Sequence, residues 1–224
     1  LAKMDTAASD FRLIWDNAYC VHHLYAADRD HLANIYTACT AAGHADRPLI
    51  FTSTSKITFA GGGICCLAAS PANIARQSEL LMYQLVCYDK LNQLRHTRFL
   101  PDLTAVEALM VQHARLLRPK FELVLAALAR ELQHLGIGHW HAPKGGYFIC
   151  FYAPDGCARE IIRRCGEAGV TLTPAGAPFP QGKDPQDNVI RIAPTYPPLE
   201  ELAEVMALFC IVVKLIVVEQ ELAE

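Results

Sequence analysis

Asp16 and Tyr19 stand three residues apart, and Ser53, Ser55 and Lys56 come later in one Ser-Thr-Ser-Lys run. A carboxylate, a phenol, two hydroxyls and a primary amine can together bind a small polar ligand and move protons on it, and an amine can also form a covalent bond to a carbonyl carbon. Taken singly, each signal is weak. Asp-Asn after a strand is more often a turn or a helix cap than half of a catalytic pair, and most lysines are solvated surface groups. Order and placement say more: each cluster directly succeeds a run of strand formers, and Gly61-Gly62-Gly63 comes close behind the lysine. Far downstream, Arg191 lies in another such run before Pro194, with a fork suited to a planar carboxylate. An exposed strand arginine in a salt bridge would explain Arg191 equally well on its own.

Elements able to position these groups can be read from periodicity. Residues 11–15 and 49–52 read as buried strands, and 30–42 between them as a helix with apolar spacing at Leu32, Ile35 and Cys39 and a terminating Gly43. Residues 64–69 read as another strand. Strand, helix, strand with short connections predicts a parallel α/β sheet, in which ligands gather at the carboxyl ends of strands. Asp16 and Lys56 both stand at such ends. Ser70-Pro71 predicts a helix start, with a serine cap and proline at the first helical position. No strand signal appears again until residue 147, and the helical stretch breaks near 99–102. Residues 147–151, 170–172 and 189–193 then read as strands, 157–168 as a helix, and the chain closes on a helix from Leu199. The long helical stretch predicts a domain boundary near 100–110.

Composition narrows the class of protein. Apolar residues make up 52% of the 224 and charged residues 19%, as in an ordinary soluble α/β chain. A net charge of -3 gives no electrostatic basis for nucleic acid or an anionic membrane as partner. The apolar run 209–218 is interrupted by Lys214 and is too short to span a bilayer. The first residues carry no secretory pattern. Nine cysteines without C-x-x-C spacing read as buried free thiols in a reducing compartment, which makes the cytoplasm the expected location. His22-His23 and His139-x-His141 lack a cysteine or carboxylate at ligand spacing, so no metal site is expected.

Several longer segments share one resemblance. DNAYCVHHLY (16–25), STSKITFAGGGI (53–64), DKLNQLRHTRFL (89–100), RPKF (118–121), PKGGYF (143–148), LTPAG (172–176) and NVIRIAPTYP (188–197) occur in the order found in fold-type I pyridoxal-phosphate (PLP) enzymes. The sequence resembles the aspartate aminotransferase superfamily, and within it the MocR-type branch of aspartate aminotransferase-like proteins. The resemblance runs from about residue 5 to the C-terminus. It implies the C-terminal half of such an enzyme: residues 1–105 as part of the large domain with its parallel or mixed sheet, and 106–224 as the small α+β domain. The cofactor would be PLP, the substrates an amino acid, aspartate or another acidic donor, and a 2-oxo acid such as 2-oxoglutarate. The full-length protein would be a homodimer. Lys56 would hold the cofactor covalently and move the substrate proton, Asp16 would keep the pyridine nitrogen protonated, and Tyr19 would donate to the phenolic oxygen. Ser53 and Ser55 would bind the phosphate. Arg191 would clamp the substrate α-carboxylate, Gly146 would allow backbone to approach it, and Arg95 would meet a distal carboxylate.

One departure stands out. Many relatives carry an arginine shortly after the lysine, in a Pro-Gly-x-Arg turn that pairs with the phosphate, and here Gly63 occupies its place. The family's first half also supplies the ring stacked on PLP and the main phosphate loop, neither of which is found in these residues. Two other functions share the resemblance: the PLP-binding regulatory domain of a MocR-type transcription regulator, and a PLP lyase.

Overall fold

The computed structural model describes residues 1–223, which form two compact units. Unit 1 comprises residues 1–23 and 29–111, and unit 2 residues 24–28 and 112–223.

Unit 1 is built on a three-stranded sheet of β1 (Leu13–Asp16), β2 (Pro48–Ser53) and β3 (Cys65–Ala68), with β2 in the centre. Between β1 and β2 lies α1 (Ile35–Ala41), long enough with its flanking loops to return the chain so that the two strands run parallel, Trp15 opposite Ile50 and Asp16 opposite Phe51. The helix is shorter than its apolar spacing suggests. The Asn34 side chain accepts the Thr37 N–H at 3.0 Å and starts the helix there, so 30–34 stay outside it. Gly43 ends it with φ of 80°. The third strand departs from the expected parallel pattern: β3 runs antiparallel to β2, with Ser53 opposite Cys65. A parallel return needs a crossover of a dozen or more residues with a packed helix, and the 54–64 connection holds none. Arg47, buried behind the start of β2, donates from Nη1 to the carbonyls of Leu1, Ala2 and Met4 at 3.0–3.1 Å and so ties down the first residues.

After β3, Ser70 caps α2 (Pro71–Gln84) as expected, and α3 (Lys90–Phe99) and α4 (Leu103–Glu131) complete the helical stretch. The break at 100–102 is present, and Asp102 accepts the Ala105 N–H at 2.8 Å to start α4. A second break at 85–89 carries no sequence signal that periodicity detects.

Unit 2 carries an antiparallel sheet of β4 (His139–Trp140), β5 (Ile149–Tyr152) and β6 (Val189–Ile192), with helices α5 (Ala158–Glu167) and α6 (Leu199–Ala223). Its core joins Phe121, Val124 and Leu128 of α4, Ile149 and Phe151 of β5, Ile161 of α5, Ile190 of β6, and Met206, Phe209 and Val213 of α6. β4, only two residues long, has no counterpart among the expected strands. Residues 170–172, which read as a strand, form no ladder; Val170 instead donates to the Cys165 carbonyl at 2.8 Å and closes α5. Lys214, which interrupts the apolar run of α6, reaches Glu131 at 2.7 Å and holds that carboxylate down at about 2. Among the described residues no helix is long and apolar enough to cross a membrane. The thiols divide: Cys39, Cys157, Cys165 and Cys210 are buried, but Cys65, Cys66 and Cys87 are exposed, contrary to the uniform burial expected. Burial pushes Cys165 and Cys210 up to about 11.

The strand that carries Arg191 is anchored by Asp184. Its buried carboxylate accepts the backbone N–H groups of Gln186 (3.1 Å), Asn188 and Val189 (both 2.9 Å). Burial alone would raise its pKa, but these donors outweigh that and hold it below the usual carboxylate value. Because the folded value is depressed, the stabilisation is complete above the unfolded carboxylate pKa of about 3.9 and fades as pH falls through the lower folded value. Asp184→Ala should lower the stability of unit 2 by about 1.5–3 kcal/mol at neutral pH. In urea unfolding followed against pH, the deficit should shrink in acid; a deficit that stays constant from neutral to acid pH would remove this role.

Candidate active site

The β1/β2 ladder brings two of the clusters to one edge. Directly past the ladder, the Asn17 N–H donates to the Phe51 carbonyl at 2.7 Å, which fixes the turn after Asp16 beside the end of β2. Asp16 Oδ1 accepts the Ala18 N–H at 3.0 Å, so one oxygen shapes the turn while the carboxylate keeps its second oxygen for another donor. Tyr19 lies in the same turn, its ring edge-on to His22 with centroids 5.3 Å apart. At the end of β2, Ser53 Oγ accepts the Ser55 N–H at 3.3 Å. The Thr54 carbonyl then accepts the N–H groups of Ile57 (2.9 Å) and Thr58 (2.8 Å), wrapping the chain into a tight turn around an exposed Lys56. Asp16, Tyr19, Ser53, Ser55 and Lys56 thus share one end of one sheet.

Gly63 lies behind this turn. A Cβ built there would stand 3.1 Å from Ser55 N, from Ser55 Oγ and from Thr54 Oγ1. A side chain there would need Ser55 and Thr54 to give by a few tenths of an ångström, so the position is tight.

Three residues to which the sequence assigns no part in the site hold the lysine turn. His22, buried, approaches the Lys56 carbonyl with Nε2 at 3.1 Å; a carbonyl only accepts, so this nitrogen carries the hydrogen. From α3, Asn92 Nδ2 donates to the carbonyls of Gly62 (2.9 Å) and Gly63 (3.2 Å), and the buried His96 meets the hydroxyls of Thr54 and Thr58. Asn92 and His96 are four apart on one helical face, a spacing that is present in the sequence. Apolar periodicity cannot reveal it, because the inward face of α3 is polar. Arg95, the neighbour expected to meet a distal carboxylate, is exposed, and the contacts of α3 with the loop run through Asn92 and His96 instead.

Arg191 and Gly146 belong to unit 2. Arg191 is half-buried on β6, with Nε 3.4 Å from Thr173 Oγ1 and its guanidinium 4.5 Å from the centroid of the Phe148 ring. Stacking over an aromatic face restrains the fork without consuming its donors. The arginine borders a cavity of about 560 Å³ lined also by Leu172, Thr173, Tyr196, Leu202 and Phe209. Gly146 has φ of 83°, and a Cβ there would meet nothing within 4 Å, so its requirement in this chain is the backbone turn.

Comparison with known proteins decides the family. The sequence matches the family described as aspartate amino-transferase over residues 1–224. The chain belongs to the aspartate aminotransferase family. It is 44% identical over 204 residues to a putative aminotransferase of Mycolicibacterium smegmatis, covering 91% of this chain and 47% of that protein. An aspartate aminotransferase of Corynebacterium glutamicum is 40% identical over 206 residues, covering 92% of this chain and 48% of that protein. The crystal structure of an aspartate transaminase from Corynebacterium glutamicum superposes with a TM-score of 0.93 at 39% identity, covering 98% of this chain and 51% of that one. An α-aminoadipate aminotransferase from Thermus thermophilus, complexed with N-(5'-phosphopyridoxyl)-L-leucine, reaches a TM-score of 0.74 at 22% identity over 92% of this chain and 51% of that one; at that distance the likeness speaks for the fold alone. The fold is that of the fold-type I PLP aminotransferases. The chain spans about half the length of the relatives it matches.

In this aminotransferase-family chain, the close approach at Gly63 can be tested against its neighbour. Gly63→Ala should cost about 1–3 kcal/mol of stability through overpacking. A Cβ at Gly62 meets only Phe59 Cβ at an ordinary 3.6 Å, so Gly62→Ala serves as the tolerated control. Equal denaturation midpoints for the two variants would show that position 63 is not tight.

Proposed function

We propose that this chain supplies the cofactor lysine, the ring-binding aspartate and the substrate arginine of a PLP-dependent aminotransferase, as the C-terminal half of an enzyme of the MocR-type, aspartate aminotransferase-like branch. The observation that carries the reading is the parallel pairing of β1 with β2, which sets Asp16 and the Lys56 turn at the same sheet edge. The residues fit the cofactor. Asp16 keeps an oxygen for a ring N–H, and the bare backbone at Gly63 leaves the Ser55 hydroxyl uncrowded, as a phosphate cradle without an arginine requires. PLP, when bound, supplies an electron-withdrawing ring that acidifies the Cα–H of an attached amino acid.

The chain's own groups have distinct tasks in this scheme. Asp16 holds a proton on the ring nitrogen by charge. Tyr19 donates its hydroxyl hydrogen to the phenolic oxygen. Ser53 and Ser55 donate to the phosphate. Lys56 Nζ would hold the cofactor and, as a free amine, would serve as the base that carries the proton taken from the substrate Cα. Arg191 binds the α-carboxylate in its fork, restrained on Phe148. Arg95, exposed on α3, is assigned to the distal carboxylate of an acidic donor and Gly146 to the backbone beside the substrate. In this reading residues 1–105 are the cofactor-bearing part and 106–224 the smaller domain, whereas by packing 24–28 fall in unit 2 and 106–111 in unit 1. The amino group passes from aspartate or another acidic amino acid to a 2-oxo acid such as 2-oxoglutarate, in a cytoplasmic homodimer of the whole protein. Support for the donor is the 40% identity to a protein named aspartate aminotransferase.

Borohydride fixation of the whole protein with PLP, and then peptide mapping, should put the pyridoxyl label on Lys56. Label on another lysine defeats the assignment. Asp16→Ala should retain some label but lose orders of magnitude in turnover; unchanged turnover would remove Asp16 from the ring nitrogen.

The two arginines separate by substrate. Arg191→Lys should weaken every amino donor, whereas Arg95→Ala should weaken acidic substrates alone. Each lost charge-assisted contact corresponds to roughly 1.5–3 kcal/mol, about ten- to a hundred-fold in KM or kcat/KM. Equal losses for acidic and neutral donors in Arg95→Ala would take that residue out of the site.

A further inference from the structure

The lysine turn is clamped from behind by a side chain that no step of the reaction requires. His96 is 5% exposed. Its Nδ1 lies 2.9 Å from the Asn92 carbonyl one helical turn back. That oxygen can only accept, so Nδ1 carries the hydrogen and Nε2 of the neutral ring is an acceptor. Nε2 faces the Thr58 hydroxyl at 2.9 Å and the Thr54 hydroxyl at 3.1 Å, two residues on either side of Lys56. Thr54 Oγ1 also accepts the Ile64 N–H at 3.0 Å, and the Thr54 N–H donates to the Ile64 carbonyl at 2.9 Å, which closes the loop at its base. Both ends of the lysine turn therefore meet one imidazole, and the residue after the glycine run is tied to it only through Thr54 Oγ1. A helix interior normally turns apolar residues inward; among the described residues of α3, the only fully buried one is this histidine.

We propose that His96 is a positioning residue for Lys56: by bridging Thr54 and Thr58 it fixes the 54–64 loop in the form that presents the amine to the cofactor. It touches neither substrate nor cofactor and acts through the threonine hydroxyls. The inference rests on the reading of Lys56 as the cofactor lysine. The geometry explains why a polar clamp suits this position better than an apolar one. The loop is closed by backbone and hydroxyl groups, whose hydrogen bonds are directional, and three consecutive glycines leave it little side-chain packing of its own.

The whole protein, as wild type, His96→Ala, Thr58→Val and Thr58→Ser, tests this with two measurements. Amide hydrogen exchange without cofactor reports the loop. The rate at which borohydride-fixable PLP accumulates on Lys56 reports presentation of the amine. Loss of one net hydrogen bond corresponds to about fivefold, so His96→Ala and Thr58→Val should exchange about fivefold or more faster at 54–64 and capture PLP correspondingly more slowly. Thr58→Ser, which keeps the hydroxyl, should stay within about twofold of wild type on both. Acceleration spread evenly over unit 1, or a faster loop with unchanged capture, would overturn the positioning role. So would equal behaviour of Thr58→Val and Thr58→Ser. Failure of the wild type to take label at Lys56 would instead sink the underlying assignment, while the exchange data would still report on the clamp.

Discussion

The pairing of β1 with β2 in parallel is the constraint on which the rest of unit 1 depends. Parallel strands end at the same edge, so the segments leaving β1 and β2 must meet there. Asp16 closes the first strand and the Ser53–Lys56 run closes the second, and the Asn17-to-Phe51 hydrogen bond carries the register one residue past the ladder. The antiparallel return of β3 then confines the chain between Lys56 and Gly63 to a short loop that must double back over its own start. Slipping this pairing by one residue would turn Asp16 to the other face of the sheet. Register and chemistry are therefore one requirement in this part of the molecule.

The two units reach stability by different means. Unit 2 has a conventional core in which three helices and a sheet bury Phe121, Phe151, Phe209 and their aliphatic neighbours almost completely. Unit 1 buries few large apolar side chains, and Ile14, Phe59, Tyr83 and Val86 are largely exposed. Its order near the site comes from directional bonds instead: Arg47 on three carbonyls, His22 on the Lys56 carbonyl, Asn92 and His96 on the glycine loop. Such bonds fix geometry sharply but contribute little net stability each, about 1 kcal/mol. By contrast, the exposed ion pairs of α5, such as Arg163 with Glu160, are of the kind that adds little.

Much of the architecture is legible from local signals. Ser70-Pro71, Gly43 and the break at 100–102 are chemical punctuation, and each appears where the residues put it. The elements that periodicity misplaces have physical causes. The start of α1 is set by Asn34 rather than by the apolar spacing upstream, and 170–172 looks like a strand because its residues are strand formers, yet no neighbour pairs with it. The antiparallel β3 is a matter of loop length, to which hydrophobic patterning is blind. The candidate site is legible through residue types at strand ends. Its supporting histidines are not, because His22 lies in a His-His pair whose nearest sequence meaning is a metal ligand, and His96 sits in a helix whose inward face is polar.

Cys65 and Cys66 are adjacent on β3, and adjacent strand residues point to opposite faces of a sheet. Both are exposed. The strand therefore carries one thiol on each side of the three-stranded layer, while Cys165 and Cys210 stay buried and hard to ionise. An alkylating reagent at mild pH would consequently act as a two-sided footprint. Any polypeptide laid across one face would silence one of the two neighbouring cysteines and leave the other reactive, so peptide mapping of the tag would reveal which side of the layer is covered without a structure of the assembly.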